Sequence, residues 1–301
     1  MKLIVLLSTY NGVKYMRQQL DSLLAQSFPG IEILVRDDGS TDGTCELLEE
    51  YAKRGALRWY AGHNLGPAHS FWQLLCGCGD ADYYAFCDQD DVWDEDKLET
   101  AVAALSCFET DTPALYCSDV RVTDKALNVL YDHMVNPCPA DYPHALLRNP
   151  APGCTFVFNH QARELLCLYD AKKLGLELHD WTAYQIVACF GKVVFDPVPH
   201  MCYRQHGNNV NGAHRRTAIS LIKKLPAFWE GAMRNSRRRQ ALRLEQTYSE
   251  IMPTGNRELT GLIAHYDENS AKKRKLLYML WNTLDGADAR MAWLMALFNR
   301  L

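Results

Sequence analysis

The 301-residue chain has no apolar run approaching the roughly eighteen residues that cross a bilayer as a helix; the longest near its ends are Leu3 to Leu7 and Met291 to Phe298. Its start, Met1-Lys2-Leu3-Ile4-Val5, runs straight into a strand-like pattern without an h-region or a small-residue cleavage site. No signal peptide is therefore expected, and the cytoplasm is the expected compartment. There is no GxxxxGK[ST] loop to cradle a triphosphate and no GxGxxG turn for a dinucleotide. Internal repeats and low-complexity tracts are absent too. Cysteine is not scarce, but the eleven are odd in number, scattered, and set in apolar runs such as Ala85-Phe86-Cys87 and Leu165-Leu166-Cys167. That is the pattern of buried free thiols, and Cys76 and Cys78 lack a second pair at zinc-finger spacing.

What is present is a globular composition, 48% hydrophobic and 23% charged, long enough for one large α/β domain with an appendage. The net charge of −4 conceals an asymmetry: residues 213–301 hold 16 Lys and Arg against 8 Asp and Glu, residues 1–212 hold 16 against 28. We expect a first domain over 1–212 and a basic helical region over 213–301.

Over the first 120 residues, short β-like runs alternate with helix-period segments, the pattern of a mostly parallel, Rossmann-like sheet flanked by helices. Strands are expected at Leu3 to Leu7, Ile31 to Val35, Leu57 to Tyr60, Tyr83 to Cys87 and Ala114 to Cys117. Thr41-Asp42 and Asp94 stand where helix N-caps belong. Val120 to Pro152 reads as a long irregular loop punctuated by prolines. Further strands are expected at Thr155 to Phe158, Val193 to Phe195 and Val198 to Tyr203, with helices at His160 to Tyr169 and Asp180 to Phe190.

In open α/β sheets, ligands sit beyond the carboxyl ends of the strands. Three polar clusters fall there: Ser8-Thr9-Tyr10-Asn11-Gly12, Arg36-Asp37-Asp38-Gly39-Ser40-Thr41-Asp42 and Asp88-Gln89-Asp90-Asp91. Three like charges within four residues are costly unless a cation or solvent relieves them, and a hard divalent ion shared with phosphate oxygens suits them. Taken alone, the same residues would read as a solvated acidic turn. Asp38, at a strand end, can accept the imide N–H of uracil or thymine.

These clusters, with Gln26-Ser27-Phe28 ending the first helix, resemble family 2 glycosyltransferases of the GT-A fold over roughly residues 1 to 210. Phe86-Cys87-Asp88-Gln89-Asp90-Asp91-Val92-Trp93, His179-Asp180-Trp181 and Tyr203-Arg204-Gln205-His206-Gly207-Asn208-Asn209 are similar to the bacterial rhamnosyltransferase-type branch. The resemblance implies that Thr9, Tyr10 and Asp38 contact the nucleotide base, Asn11 binds the donor with them, Asp88 lies near the donor ribose, and Asp90 binds Mg²⁺ or Mn²⁺ bridging the two phosphates. It implies that Asp180 is the general base of an inverting transfer onto a hydroxyl of a cell-surface or lipid-linked glycan, with His179 in place of the family's usual Glu. Arg204 and His206 would contact the donor, His206 completing the metal shell. The implied donor is thymidine diphosphate rhamnose, with uridine diphosphate hexoses next.

The residues themselves leave alternatives. Asp180 before an aromatic helix also fits an N-cap, Trp181 fits packing beneath a site or stacking on a sugar, and His206 fits a loop hydrogen bond. A nucleotidyltransferase would need a glycine-rich, arginine-containing loop after the first strand, which Ser8 to Gly12 is not. A non-catalytic sensor of nucleotide sugars remains the competing class.

The basic region interleaves Arg215, Arg216, Lys223, Lys224, Arg234, Arg237, Arg238, Arg239, Arg243 and Lys272 to Lys275 with Leu221, Ile222, Leu225, Phe228, Trp229, Trp281, Trp293, Leu294, Leu297 and Phe298. Contact with the anionic inner leaflet is favoured, against a homodimer interface or an intramolecular clasp. Nucleic acid is not expected, for want of a base-reading motif.

Overall fold

The computed structural model describes residues 1–133, 138–206, 235–282 and 287–301. The turn-rich residues after His206 and the basic positions from Arg215 to Arg234 lie outside them. The chain divides into two units, the first comprising Met1–Pro137, Pro150–Val187 and Gly191–Ala213, the second Cys138–Asn149, Ala188–Phe190 and His214–Leu301.

In the first unit, β1 (Leu3–Thr9), β2 (Ile31–Asp37), β3 (Arg58–Ala61), β4 (Tyr83–Cys87), β6 (Ala114–Ser118), β9 (Val157–Asn159) and β10 (Lys192–Asp196) form one sheet. Its order is β10-β6-β9-β4-β1-β2-β3. Strands β4, β1, β2 and β3 run parallel, as do β6 and β10, and only β9 opposes its neighbours. Leu3 to Leu7 are all buried, as expected of a central parallel strand covered on both faces. The covering stripe of helix α1 (Val13–Leu24) is Met16, Leu20 and Leu23, and that of α2 (Thr44–Lys53) is Leu47, Leu48 and Tyr51. Helix α3 is Pro67–Gly77 and α4 is Lys97–Leu105. With helices on a mostly parallel sheet, the α/β expectation holds.

Three local expectations need correction. Asp94 caps no helix: its carboxylate pairs with Arg121 at 3.2 Å, while Asp96 occupies the position before α4. At α2 the cap position is Gly43, whose φ of 94° suits glycine, and Asp42 instead accepts the Thr44 N–H at 3.1 Å. The proline-rich stretch is not one loop, since it contains β7 (Arg121–Thr123), β8 (Val129–Tyr131) and helix α5 (Tyr142–Leu147). Strands β7 and β8 join β5 (Val92–Trp93) and β11 (Met201–Arg204) in a second, four-stranded sheet ordered β5-β11-β7-β8. This small sheet brings Arg204 and His206 back to the loop after β4. Helices α6 (His160–Cys167), α7 (Ala171–Leu174) and α8 (His179–Phe190) follow β9.

The second unit is helical: α5 packs with α9 (Ser236–Tyr248), α10 (Thr254–His265) and α12 (Ala287–Leu297), and α11 (Ser270–Asn282) packs on α12. Its interior is tied by Tyr142 Oη to Thr260 Oγ1 at 2.6 Å and by Asn256 Nδ2, which donates to the Cys189 carbonyl at 2.9 Å. Arg237 Nε donates to the Leu147 carbonyl at 2.5 Å and Arg238 Nε to the Ala264 carbonyl at 3.0 Å. Two arginines of the basic cluster thus brace this unit from inside.

Candidate active site

The polar loops after β1, β2 and β4 are cross-linked at one sheet edge. Gln89 spans two of them, its Oε1 accepting the Tyr10 N–H at 2.8 Å and its Nε2 donating to the Tyr10 carbonyl at 3.0 Å. A Cβ on Gly12 would run into that Gln89 amide, which is why the β1 loop ends in glycine. Asn11, held at φ 48°, donates its N–H to Ser40 Oγ at 2.8 Å and accepts the Thr41 N–H at 2.9 Å. Tyr10 itself is 48% exposed, so its ring stays available at the rim.

The paired acids after β2 are fully occupied. Asp37 accepts the N–H groups of Gly39 at 3.0 Å and Ser40 at 2.8 Å, and the Thr9 hydroxyl at 3.3 Å. Asp38 is ion-paired with buried Arg36 and accepts Leu65 N–H at 2.9 and 3.0 Å and Gly66 N–H at 2.8 Å. Arg36 also donates to Ser70 Oγ, Gln73 Oε1 and the His63 carbonyl, each at 3.0 Å. Together Arg36 and Asp38 fix the loop from His63 to Gly66 against the edge.

The acids after β4 are different. Asp91 is fully buried; one oxygen accepts the Arg204 backbone N–H at 3.0 Å and the other has no hydrogen-bond partner of ordinary geometry. Asp88 is half-buried by exposed area, yet its carboxyl sits deep enough that burial, then Asp90, then Asp180 push it up to about 7. Burial first, then Asp90 and Asp88, also raises Asp91. The ligand atoms of Asp88, Asp91 and Cys154 all lie within 4.8 Å of one another. Close by is a cation that reading the sequence missed, the fully buried Lys97. Its Nζ donates to the Cys154 carbonyl at 2.6 Å and lies 3.1 Å from the centre of the Trp93 ring. Burial pulls it down to about 8, opposed by Cys154, Cys87, Asp91 and Asp88.

Asp90 faces outward from this group. Its Oδ2 lies 2.6 Å from His206 Nε2, and the His206 ring stacks on Tyr15 at 4.9 Å. At that distance the two are hydrogen-bonded to each other, and a carboxylate oxygen and an imidazole nitrogen are both atoms that could hold a divalent ion. Arg204 is buried behind them, with Nε on the Asp90 carbonyl at 2.8 Å, Nη1 on the Lys125 carbonyl at 2.7 Å and Nη2 on Gln18 Oε1 at 2.7 Å. Its guanidinium carbon stands 4.6 Å over the Tyr15 ring.

Asp180 lies in the first turn of α8, accepting the Trp181 N–H at 2.7 Å and the Gly153 N–H at 3.2 Å. A Cβ on Gly153 would lie 2.8 Å from Asp180 Cβ and 2.9 Å from His179 Nε2, so only glycine fits the turn facing it. His179 stacks on Phe71 at 4.2 Å, and burial lowers it. Trp181 is buried, as the packing alternative expects.

The model of glycosyl transferase family 2 matches residues 4–158, more than half of the chain. The chain belongs to that family. It is 29% identical over 233 residues, 69% of this chain and 74% of the relative, to a dTDP-rhamnosyl transferase, RfbG, of Shigella flexneri. It is 22% identical over 255 residues, 80% of this chain and 74% of the other, to an uncharacterized glycosyltransferase of Rickettsia typhi. Among solved structures, TarS 1-349 of S. aureus in complex with UDP-GlcNAc superposes with a TM-score of 0.59 at 16% identity, covering 99% of this chain and 80% of that 1-349 chain. The fold is thus GT-A, as expected. This glycosyltransferase has, among its described residues, no helix long and apolar enough to cross a membrane.

Proposed function

We propose that this glycosyltransferase moves a sugar from a nucleoside diphosphate donor, foremost thymidine diphosphate rhamnose, to a hydroxyl of a cell-surface or lipid-linked glycan, with inversion. The observation that carries the reading is the grouping of the acids: Asp90 beside His206, Asp180 in the first turn of α8, and Asp88 close enough to be raised by both. Thr9, Tyr10 and Asn11 would line the base with Asp38. Because the Asp38 oxygens are already occupied, its base contact would require sharing with the Leu65 and Gly66 N–H groups. Asp88 would meet the ribose.

Asp90 and His206 would hold Mg²⁺ or Mn²⁺, which supplies positive charge to a leaving diphosphate. Arg204 would contact the donor beside Asp90, whose backbone carbonyl it also holds. The Asp180 carboxylate takes the acceptor hydroxyl proton as that oxygen bonds to the anomeric carbon. The bond from that carbon to the diphosphate breaks, the diphosphate leaving with the electron pair, and a single displacement inverts the centre. The 29% identity to a dTDP-rhamnosyl transferase supports the donor reading. Uridine diphosphate hexoses are the second choice. Inner-leaflet contact through the C-terminal region and a cytoplasmic site of action complete the proposal.

A thermal-shift screen against thymidine, uridine, guanosine and cytidine diphosphates and their sugars, each with Mn²⁺ or chelator, tests it. We expect a metal-dependent shift, largest for thymidine ligands, that Asp90→Ala eliminates while Asp180→Asn keeps the shift and loses transfer. A folded protein with no metal-dependent shift for any of them would make this a non-catalytic member of the family.

A further inference from the structure

The last two helices carry more apolar surface than their packing uses. In α11 the buried residues are Leu276 and Leu280, and in α12 Ala289, Ala292, Met295 and Ala296 are also covered. Yet Tyr278 is 69% exposed, Trp281 61% and Phe298 54%, and Leu294 and Leu297 are exposed as well. A helix that is apolar on its outward as well as its inward side is built for a second apolar partner.

The outward residues form stripes. Arg274, Tyr278 and Trp281 follow i, i+4, i+7 along α11, and Arg290, Leu294, Leu297 and Phe298 follow i, i+4, i+7, i+8 from α12 into the residue beyond it. The helices run antiparallel: Lys273 Nζ donates to the Leu297 carbonyl at 2.8 Å at one end, and Trp281 meets Trp293 at 5.4 Å towards the other. Arg274, Lys275 and Arg290 are exposed, and the sequence of these two helices carries a single acid, Asp288.

We propose that this hairpin face docks on an anionic lipid surface, its aromatic residues entering the headgroup boundary and its arginines and Lys275 meeting the lipid charge. The proposal rests on the inner-leaflet reading above and narrows it to one face. At 13 and 11 residues the helices are about 20 Å and about 17 Å long, short of the ~30 Å hydrocarbon core, so they lie in the membrane plane. A second copy fits less well, since it would bring together two faces with the same excess of basic residues. The arginine cluster of α9 does not supply this face, as Arg237 and Arg238 donate into the second unit's own backbone.

Co-sedimentation of the full chain with vesicles of phosphatidylcholine alone, or in equal parts with phosphatidylglycerol, tests the face. Binding is expected for the anionic vesicles with a blue shift of tryptophan emission. The triple variant Tyr278→Ser, Trp281→Ser, Phe298→Ser should lose about tenfold or more of it, and so should Arg274→Glu with Lys275→Glu, both melting as the parent does. If the triple variant binds like the parent, the face is wrong while membrane contact stands. If the parent binds neither vesicle, both fall. A concentration-dependent dimer that the triple variant abolishes, without vesicle binding, would give the face to a second copy.

Discussion

Two acidic clusters at the same sheet edge, Asp37-Asp38 after β2 and Asp88 to Asp91 after β4, look alike in sequence and differ in their partners. Every oxygen of the first pair meets a donor: backbone N–H groups, hydroxyls, or the Arg36 guanidinium. In the second, one buried Asp91 oxygen has only the Cys154 thiol beside it, Asp88 is pushed up, and Lys97, the cation opposing that rise, is itself pulled down by burial. Satisfied carboxylates shape a loop; under-satisfied ones retain affinity for something further. On the proposed reading, the β2 acids would then mainly shape the site and the β4 acids would meet ligand charge.

The comparison breaks most visibly under the same change made in both places. Asp38→Asn strips the countercharge from buried Arg36 and turns an amide towards the Leu65 and Gly66 N–H groups. It should cost about 3–5 kcal/mol of stability, read by denaturant unfolding. Asp91→Asn should stay within about 1 kcal/mol of the parent, because it removes a buried charge that had one matched oxygen. Equal losses in the two variants would show the clusters to be equivalent and sink the distinction.

A smaller effect sharpens it. Lys97→Met leaves the Cys154 carbonyl without its 2.6 Å donor and takes a cation from beside the β4 acids, and we expect a loss of about 1.5–3 kcal/mol. In the double variant with Asp91→Asn, part of that loss should return, since the charge that Lys97 balances is gone too. Strict additivity in the cycle would mean that Lys97 serves the Cys154 carbonyl alone.

The strands that place these clusters were legible because their signals are local. Leu3 to Leu7 and Tyr83 to Cys87 are apolar runs ending in polar residues, and both lie inside strands whose ends carry the site. The partners that give each acid its character were not legible, because they come from far along the chain. Lys97 and Cys154 are 57 residues apart, and Arg204 reaches Gln18 across 186. On a helical pattern Lys97 reads as solvated, and nothing local marks it as buried under Trp93. Arg204 is a second case: its guanidinium bonds the Asp90 and Lys125 carbonyls and Gln18, partners that only the fold brings to it. The strands at Arg121 and Val129 were hidden because three-residue pairings carry too little periodicity to stand out.

The smallest effect concerns the electrostatic link between the two sides of the site. Asp88 is held up to about 7 by burial first, then by Asp90 and Asp180, so nucleotide binding that needs its carboxylate should weaken as pH falls through 7. Asp180→Asn removes one like charge, which favours ionised Asp88 and lowers its pKa. The midpoint of diphosphate binding against pH, measured by calorimetry, should therefore move to lower pH in Asp180→Asn, by a fraction of a unit because Asp180 ranks behind burial and Asp90. Binding rather than transfer is the right readout, since the variant lacks the proposed base and has no turnover to titrate. A midpoint that stays put would mean solvent screens Asp180 from Asp88, and the acids on the two sides of the site would then titrate independently.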